Sequence, residues 1–442
     1  MIRCEVERGE YSGTPRKKAR KPHWCFFTRQ DAPFRRLRFH TGKRPHTRAT
    51  KRPLRLPIPA VEHHNRQHRT ERWTIMRSLD KLLLSRLGPV LAGGVAGVLA
   101  ALLVTWGNPG NMGICVACFT RDIAGALGLH RAAAVQYLRP EIAGLVLGAF
   151  GSALLFREFR PRSGSSPLVR FFLGFFAMVG ALIFLGCPWR AYLRLAGGDW
   201  TAIAGIAGLS SGIGIGIGFL WKGFSLGKNS KNLSAAGYLM PLAAVAIMVL
   251  LVMAPLFGRD AQGTPVGPIF FSEKGPGSQH ALFAVSLAVG LAVGWLAQRS
   301  RFCTVGALRD LFMLRDGHLF FGVLAFVLAA FATNLALGQF KPGFEGQPVA
   351  HTNHLWNFLG MTLAGLAFTL AGGCPGRQLI LSGEGDGDAG IFVLGMLVGA
   401  GFAHNFSLAS SASGPSPYGP TAVGIGLIFC LATGFLMRER LD

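Results

Sequence analysis

The sequence predicts an all-α integral membrane protein of about ten transmembrane helices plus short re-entrant half-helices, arranged as two inverted repeats. Three observations predict it. Half of the 442 residues are apolar, only 15% are charged, and 60 are glycine, where a soluble domain carries about 25% charged residues and roughly 7% glycine. Apolar runs of spanning length recur along the chain. Two composite cysteine motifs return in the same order, offset by 188 and 187 residues.

The formal net charge of +24 would point to nucleic acid if it were spread over a polar domain. It is not. Residues 1–75 hold 20 Lys/Arg against 6 Asp/Glu, while residues 76–442 hold 25 against 15 over five times the length. The first segment is rich in proline and histidine and has no sustained apolar periodicity, so it reads as disordered. Cys4 and Cys25 stand alone, without the pairing a zinc finger needs. Met76 opens an ordinary membrane-protein start, MRSLDKLLLSRLGPVLAGG. Residues 1–75 are therefore expected to be an upstream extension absent from the protein made in the cell. No nucleic-acid partner is expected, and the lipid bilayer is the partner of the body. That body divides into repeat one at 76–257 and repeat two at 258–442.

A span needs about 20 mostly apolar residues. The candidates are 88–106, 140–157, 168–186, 198–221 and 238–257, then 280–298, 318–338, 355–373, 388–407 and 420–437. Segments 112–130 and 301–315 each carry an Arg-Asp pair, which suits half-helices buried in protein better than lipid-facing spans. The positive-inside rule sets the orientation. Connections 158–167 and 222–237 and the tail with Arg438 and Arg440 are the basic ones; 258–279, 339–354 and 407–420 are weakly basic or uncharged. Both the N-terminus of the body and the C-terminus are thus expected in the cytoplasm. Five spans per repeat is odd, so the second repeat enters from the opposite side.

The chemistry sits in the repeated motifs. Cys115 to Asp122 (CVACFTRD) and Cys303 to Asp310 (CTVGALRD) share C-x5-R-D; Cys187-Pro188-Trp189-Arg190 and Cys374-Pro375-Gly376-Arg377 share G-C-P-x-R. Asp199 and Asp386 each follow their cysteine by twelve residues. Arginine inside a bilayer must be compensated, and its donor fork suits oxyanions. Thiols are weak donors and, ionised, soft nucleophiles. Arg121, Arg190, Arg309 and Arg377 beside Cys115, Cys118, Cys187, Cys303 and Cys374 thus mark a candidate path for a small sulfur- or selenium-containing anion. Asp122 and Asp310 are expected to pair with an arginine of the other half or to cap a half-helix, and Asp199 and Asp386 to serve likewise as structural ion pairs or caps. Pro188 and Pro375 suit breaks where a half-helix begins.

Plainer readings stand beside these. Cys430 reads as a small core filler, the Arg-Asp pairs serve equally well as structural locks, and His404 reads as a core histidine as readily as a proton relay. Cys115-x-x-Cys118 lacks the second Cys or His pair of a zinc site, so neither metal nor cofactor is expected. The run Gly212–Gly218, GIGIGIG, lies in an apolar span and reads as close helix packing, as do Gly93 and Gly97.

On these cysteine motifs, residues 76–442 resemble the YeeE/YedE family of inner-membrane proteins, whose characterised members take up thiosulfate. The stretch Asn111–Asp122 (NMGICVACFTRD), with the two G-C-P-x-R motifs, resembles the YedE-like branch associated with selenium metabolism. The resemblance implies an hourglass bundle in the bacterial plasma membrane. Its motif cysteines, here Cys115, Cys187, Cys303 and Cys374, would pass substrate along by weak thiol hydrogen bonds. Cys118 has no counterpart at Gly306. The expected function is transport of a small selenium-containing compound or anion, without enzymatic activity. Transport of thiosulfate or another sulfur anion is the runner-up, followed by a membrane thiol oxidoreductase or sulfur-relay enzyme. An anchor or sensor for a soluble selenium-handling protein ranks last. A cytoplasmic selenium- or sulfur-handling protein is an admissible partner.

Overall fold

The computed structural model describes residues 80–256, 258–259 and 265–438. The basic segment 1–75 and the tail residue Arg440 lie outside the described residues. The first half runs α1 (Gly88–Thr105), α2 (Val116–Ala126), α3 (Pro140–Leu155), α4 (Pro167–Phe184), α5 (Pro188–Ala196), α6 (Thr201–Trp221) and α7 (Leu239–Met253). The second runs α8 (Phe283–Ser300), α9 (Thr304–Leu314), α10 (His318–Ala336), α11 (His354–Ala371), α12 (Pro375–Gly383), α13 (Gly387–Asn405) and α14 (Gly419–Leu436). The order is the same in both halves. Four pairs match in length, α1 with α8 at 18 residues, α2 with α9 at 11, α4 with α11 at 18 and α5 with α12 at 9.

Among the described residues, eight helical segments are long and apolar enough to cross a membrane. The other two expected spans, 140–157 and 238–257, are helices of 16 and 15 residues. At 1.5 Å per residue these reach about 24 and 22 Å, short of a hydrocarbon core of about 30 Å. Pro140 fixes the start of α3 after the extended Arg139, and α7 gives way to a 3-10 turn over Ala254–Leu256. The half-helices expected within 112–130 and 301–315 are α2 and α9. The breaks expected at the two Cys-Pro pairs fall where α5 and α12 begin.

The halves do not pack as separate bodies. α1 packs on α10, α8 on α3, α6 on α11 and α13 on α4, so each of these contacts joins one half to the other. α4 and α11 pack on each other as well. Glycine makes these approaches close. A Cβ at Gly180 would stand 2.4 Å from the Gly360 carbonyl oxygen, and one at Gly360 would stand 2.9 Å from that of Gly180. Within GIGIGIG, Gly212 and Gly216 face Thr362 and Thr369 of α11, while a Cβ at Gly214 or Gly218 would meet nothing within 4 Å. One face of α6 is thus bare backbone against α11 and its opposite face is open.

Connections expected on the same side of the membrane touch one another. Arg162–Ser163 pairs with Ser230–Lys231 as a two-stranded ladder. The Ser272 amide donates to the Gln136 carbonyl, and the Trp200 amide to that of Gly343. Helix packing at glycine makes a direct expectation. Gly180→Leu should abolish the monodisperse peak in detergent size-exclusion chromatography, since overpacking costs about 1–3 kcal/mol even where a core yields. Gly214→Leu should leave the peak unchanged.

Candidate functional site

Four helices begin at a cysteine. Cys115 precedes α2, Cys187 precedes α5, Cys303 precedes α9 and Cys374 precedes α12. In three of them the sulfur takes the capping bond. The Cys118 amide donates to Cys115 Sγ at 3.3 Å, Gly306 to Cys303 Sγ at 3.2 Å and Arg377 to Cys374 Sγ at 3.4 Å. Ser, Thr, Asp and Asn cap helices far better than this weak acceptor does. Helix stability therefore does not explain why cysteine occupies these positions.

The four sulfurs gather in two pairs. Cys115 Sγ lies 3.9 Å from Cys187 Sγ, and Cys303 Sγ lies 3.8 Å from Cys374 Sγ. All are free thiols and buried. At each pair two helix N-termini converge, and each brings partial positive charge and unpaired amide donors. Such a place suits an anion. Cys118 adds a third thiol to the first pair; its S–H donates to the Leu185 carbonyl at 3.6 Å.

The arginines separate into two kinds. Arg121 donates to Asp122 Oδ1 at 2.7 Å, and Arg139 donates to Asp122 Oδ2 at 2.8 Å, forming a buried triad with two cations and one anion. Arg309 pairs with Asp310 at 2.8 Å, and Arg377 with Glu384 at 3.4 Å. The expectation that Asp122 and Asp310 reach the other half is corrected here. Each closes on the arginine beside it, where the shortest reach already satisfies the charge. Asp199 pairs with Arg194 at 2.6 Å and accepts the Thr201 amide at the start of α6. Asp386 caps α13 through the Ala389 amide and also pairs across the halves with Arg162 at 2.6 Å.

Arg190 is the exception. It is completely buried, and among the described residues no carboxylate stands within 4.0 Å of it. Its donors go to the carbonyls of Asn111 (3.4 Å), Leu185, Pro348 (3.1 Å) and Val349 (3.1 Å), and to Cys118 Sγ at 3.5 Å. Carbonyls satisfy its hydrogen bonds but leave its charge uncancelled. A fixed cation therefore lies one side chain behind the first thiol pair, while the arginines of the second half are all closed on acids where the motif repeats.

Between the pairs sits an aromatic cluster that sequence reasoning missed. Trp189, two residues past Cys187, lies under Gly376, two residues past Cys374; a Cβ there would stand 2.7 Å from the indole. Phe302, the neighbour of Cys303, meets Trp189 edge-on at 5.8 Å. Trp189 Nε1 and Thr304 Oγ1 are buried without a hydrogen-bond partner, so both offer unused polar capacity beside the thiols. The glycine at the third motif position in one half and tryptophan in the other was the available signal. Elsewhere, Cys430 is fully buried away from both pairs. The ring of His404 lies tilted against that of His130, with centroids 4.5 Å apart.

Cysteine-capped breaks, duplicated within a bundle of apolar helices, define a class of helical membrane protein, and sequence comparison places it. Residues 299–436 match the family model described as "Sulphur transport", a match that supports the likeness of this part of the chain to the YeeE/YedE family. The chain is also similar to the thiosulfate transporter TsuA of Escherichia coli (strain K12), 29% identical over 99 residues. That similarity covers 22% of this chain and 28% of the relative's length.

The charge asymmetry is measurable. At an effective dielectric near 20, a unit charge about 10 Å from an anion is worth roughly 1.7 kcal/mol. Arg190→Gln should therefore weaken binding of a sulfur oxyanion by about tenfold in calorimetry, with a smaller change for Arg377→Gln.

Proposed function

We propose that this chain carries a small sulfur-containing oxyanion of the thiosulfate type across the bacterial plasma membrane. The uncancelled charge of Arg190 behind three thiols, at two converging helix N-termini, is the observation that carries the reading. Cys115, Cys187 and Cys118 form the station where the anion is held most strongly. Cys303 and Cys374, flanked by arginines already paired, form a second station that holds it less. A conducted ion must be bound well enough to enter and weakly enough to leave, and weak thiol donors at both stations meet that demand. The basic connections support a cytoplasmic N-terminus of the body and a cytoplasmic C-terminus, an orientation in which the two halves would relate as inverted repeats.

Selenium was the leading substrate by sequence, through the stretch Asn111–Asp122. That stretch lies outside the residues matched by the family model, and the relative is a thiosulfate transporter by name. Sulfur is therefore the better-supported substrate. Spacings of 3.9 and 3.8 Å within the pairs also favour a second reading, dithiol redox chemistry.

Proteoliposomes offered radiolabelled thiosulfate, sulfate and selenite in parallel test the proposal. Saturable thiosulfate uptake is expected, reduced at least about tenfold by Cys187→Ala or Cys374→Ala, with the free-thiol count constant throughout. Uptake of selenite but not thiosulfate would restore the selenium reading. Disulfide formation in step with turnover would favour the redox one.

A further inference from the structure

Among the described residues, one buried acid has neither a cation partner nor a place in the path described above. Glu141, in the first turn of α3, is fully buried. Its Oε1 accepts hydrogen bonds from Asn108 Nδ2 at 2.8 Å and from Ser286 Oγ at 3.0 Å. Its Oε2 is buried and has no partner. Among the described residues no cation stands within 4.0 Å of it, since Arg139, two residues before it, spends its donors on Asp122 and on the carbonyls of Gln279 and Pro276. An intramembrane carboxyl group without a cation is costly to keep unless it has a task.

We propose that Glu141 is the proton-binding site of a proton-coupled anion transporter, a reading that rests on the function proposed above. Both existing hydrogen bonds use Oε1, so a proton can join or leave Oε2 without breaking either. The link to the anion path is one residue long. Asn108 donates from the same amide nitrogen to Glu141 and to the carbonyl of Gly113 at 3.0 Å, two residues before Cys115. Asn108 Oδ1 also accepts the Ala281 amide at 2.9 Å, which ties in the segment leading to α8. Gain or loss of the Glu141 charge therefore acts on a side chain that holds the approach to the first thiol pair. A proton taken up with the anion cancels part of the charge carried through the protein.

The groups facing this carboxyl are few. Tyr137 and Arg139 come from the approach to α3, and His280 from the segment before α8; the exposed ring of His280 stacks on Tyr137 with centroids 4.1 Å apart. α1 leads into Asn108 and α8 presents Ser286, neither of them titratable; the charged residues of α2, Arg121 and Asp122, are closed on each other, and Arg299 of α8 is paired with Asp80 and Glu158. α7 has no ionisable residue, and the one on α12, Arg377, is paired with Glu384. A sodium site is disfavoured because only one oxygen in this cluster is free of a partner.

The test uses the full chain in proteoliposomes, with wild type and Glu141→Gln compared in two modes. One is accumulation of radiolabelled thiosulfate driven by an imposed pH gradient; the other is exchange of labelled against unlabelled thiosulfate without a gradient. Wild type is expected to do both. Glu141→Gln should lose accumulation by roughly tenfold or more while keeping exchange. Accumulation unchanged in Glu141→Gln, or wild-type accumulation that follows sodium and ignores pH, overturns the inference. Absence of exchange in wild type instead overturns the transport reading itself. If the variant loses both modes, thiosulfate is added to wild-type protein in weakly buffered detergent. Proton uptake on binding supports the inference, and none overturns it.

Discussion

In a lipid interior, backbone that leaves the helix must be wrapped by protein, and everything functional in this chain depends on meeting that constraint. The four breaks that begin at a cysteine interrupt the hydrogen-bond ladder inside the bundle. They are sheathed by helices whose glycine faces allow backbone-to-backbone approach: α4 against α11 at Gly180 and Gly360, α6 against α11 along Gly208 and Gly212. Because the principal contacts run between halves, neither half can cover its own breaks. The duplication is therefore a packing requirement as much as a record of repetition.

Within this sheath the two halves have diverged in charge. The second half closes Arg309 on Asp310 and Arg377 on Glu384. The first half closes Arg121 and Arg194 on acids, yet leaves Arg190 on carbonyls alone and adds the thiol of Cys118 beside it. Two nearly equivalent thiol pairs thus differ in potential. On the function proposed above, that difference makes the first pair the stronger holding place for an anion; Trp189, wedged under Gly376, joins the residues that follow Cys187 and Cys374.

Much of this was legible in the sequence. Apolar runs gave the helices, and Cys-Pro gave the starts of α5 and α12, because proline is favoured in a first turn and disfavoured further in. The repeat motifs gave the thiols that meet. What was not legible depends on distant partners. The difference between Arg377 and Arg190 is Glu384, seven residues on, where the first half has Gly197; no motif marks that acid as the partner until the helix brings it back to Arg377. Asp122 looked free to cross between the halves until Arg139, seventeen residues later, folded onto its second oxygen. Glu141 carried no motif at all, and its isolation emerges only when Asn108 and Ser286 are seen to share one oxygen.

The central claim is that the first thiol pair, backed by Arg190, is where the anion rests. Anomalous diffraction from crystals soaked in a selenium-substituted thiosulfate analogue tests it most directly. The account expects the strongest anomalous peak among Cys115, Cys187 and Cys118, weakened in Arg190→Gln crystals. A strongest peak beside Cys303 and Cys374, or one at the first pair unaffected by loss of Arg190, would contradict it.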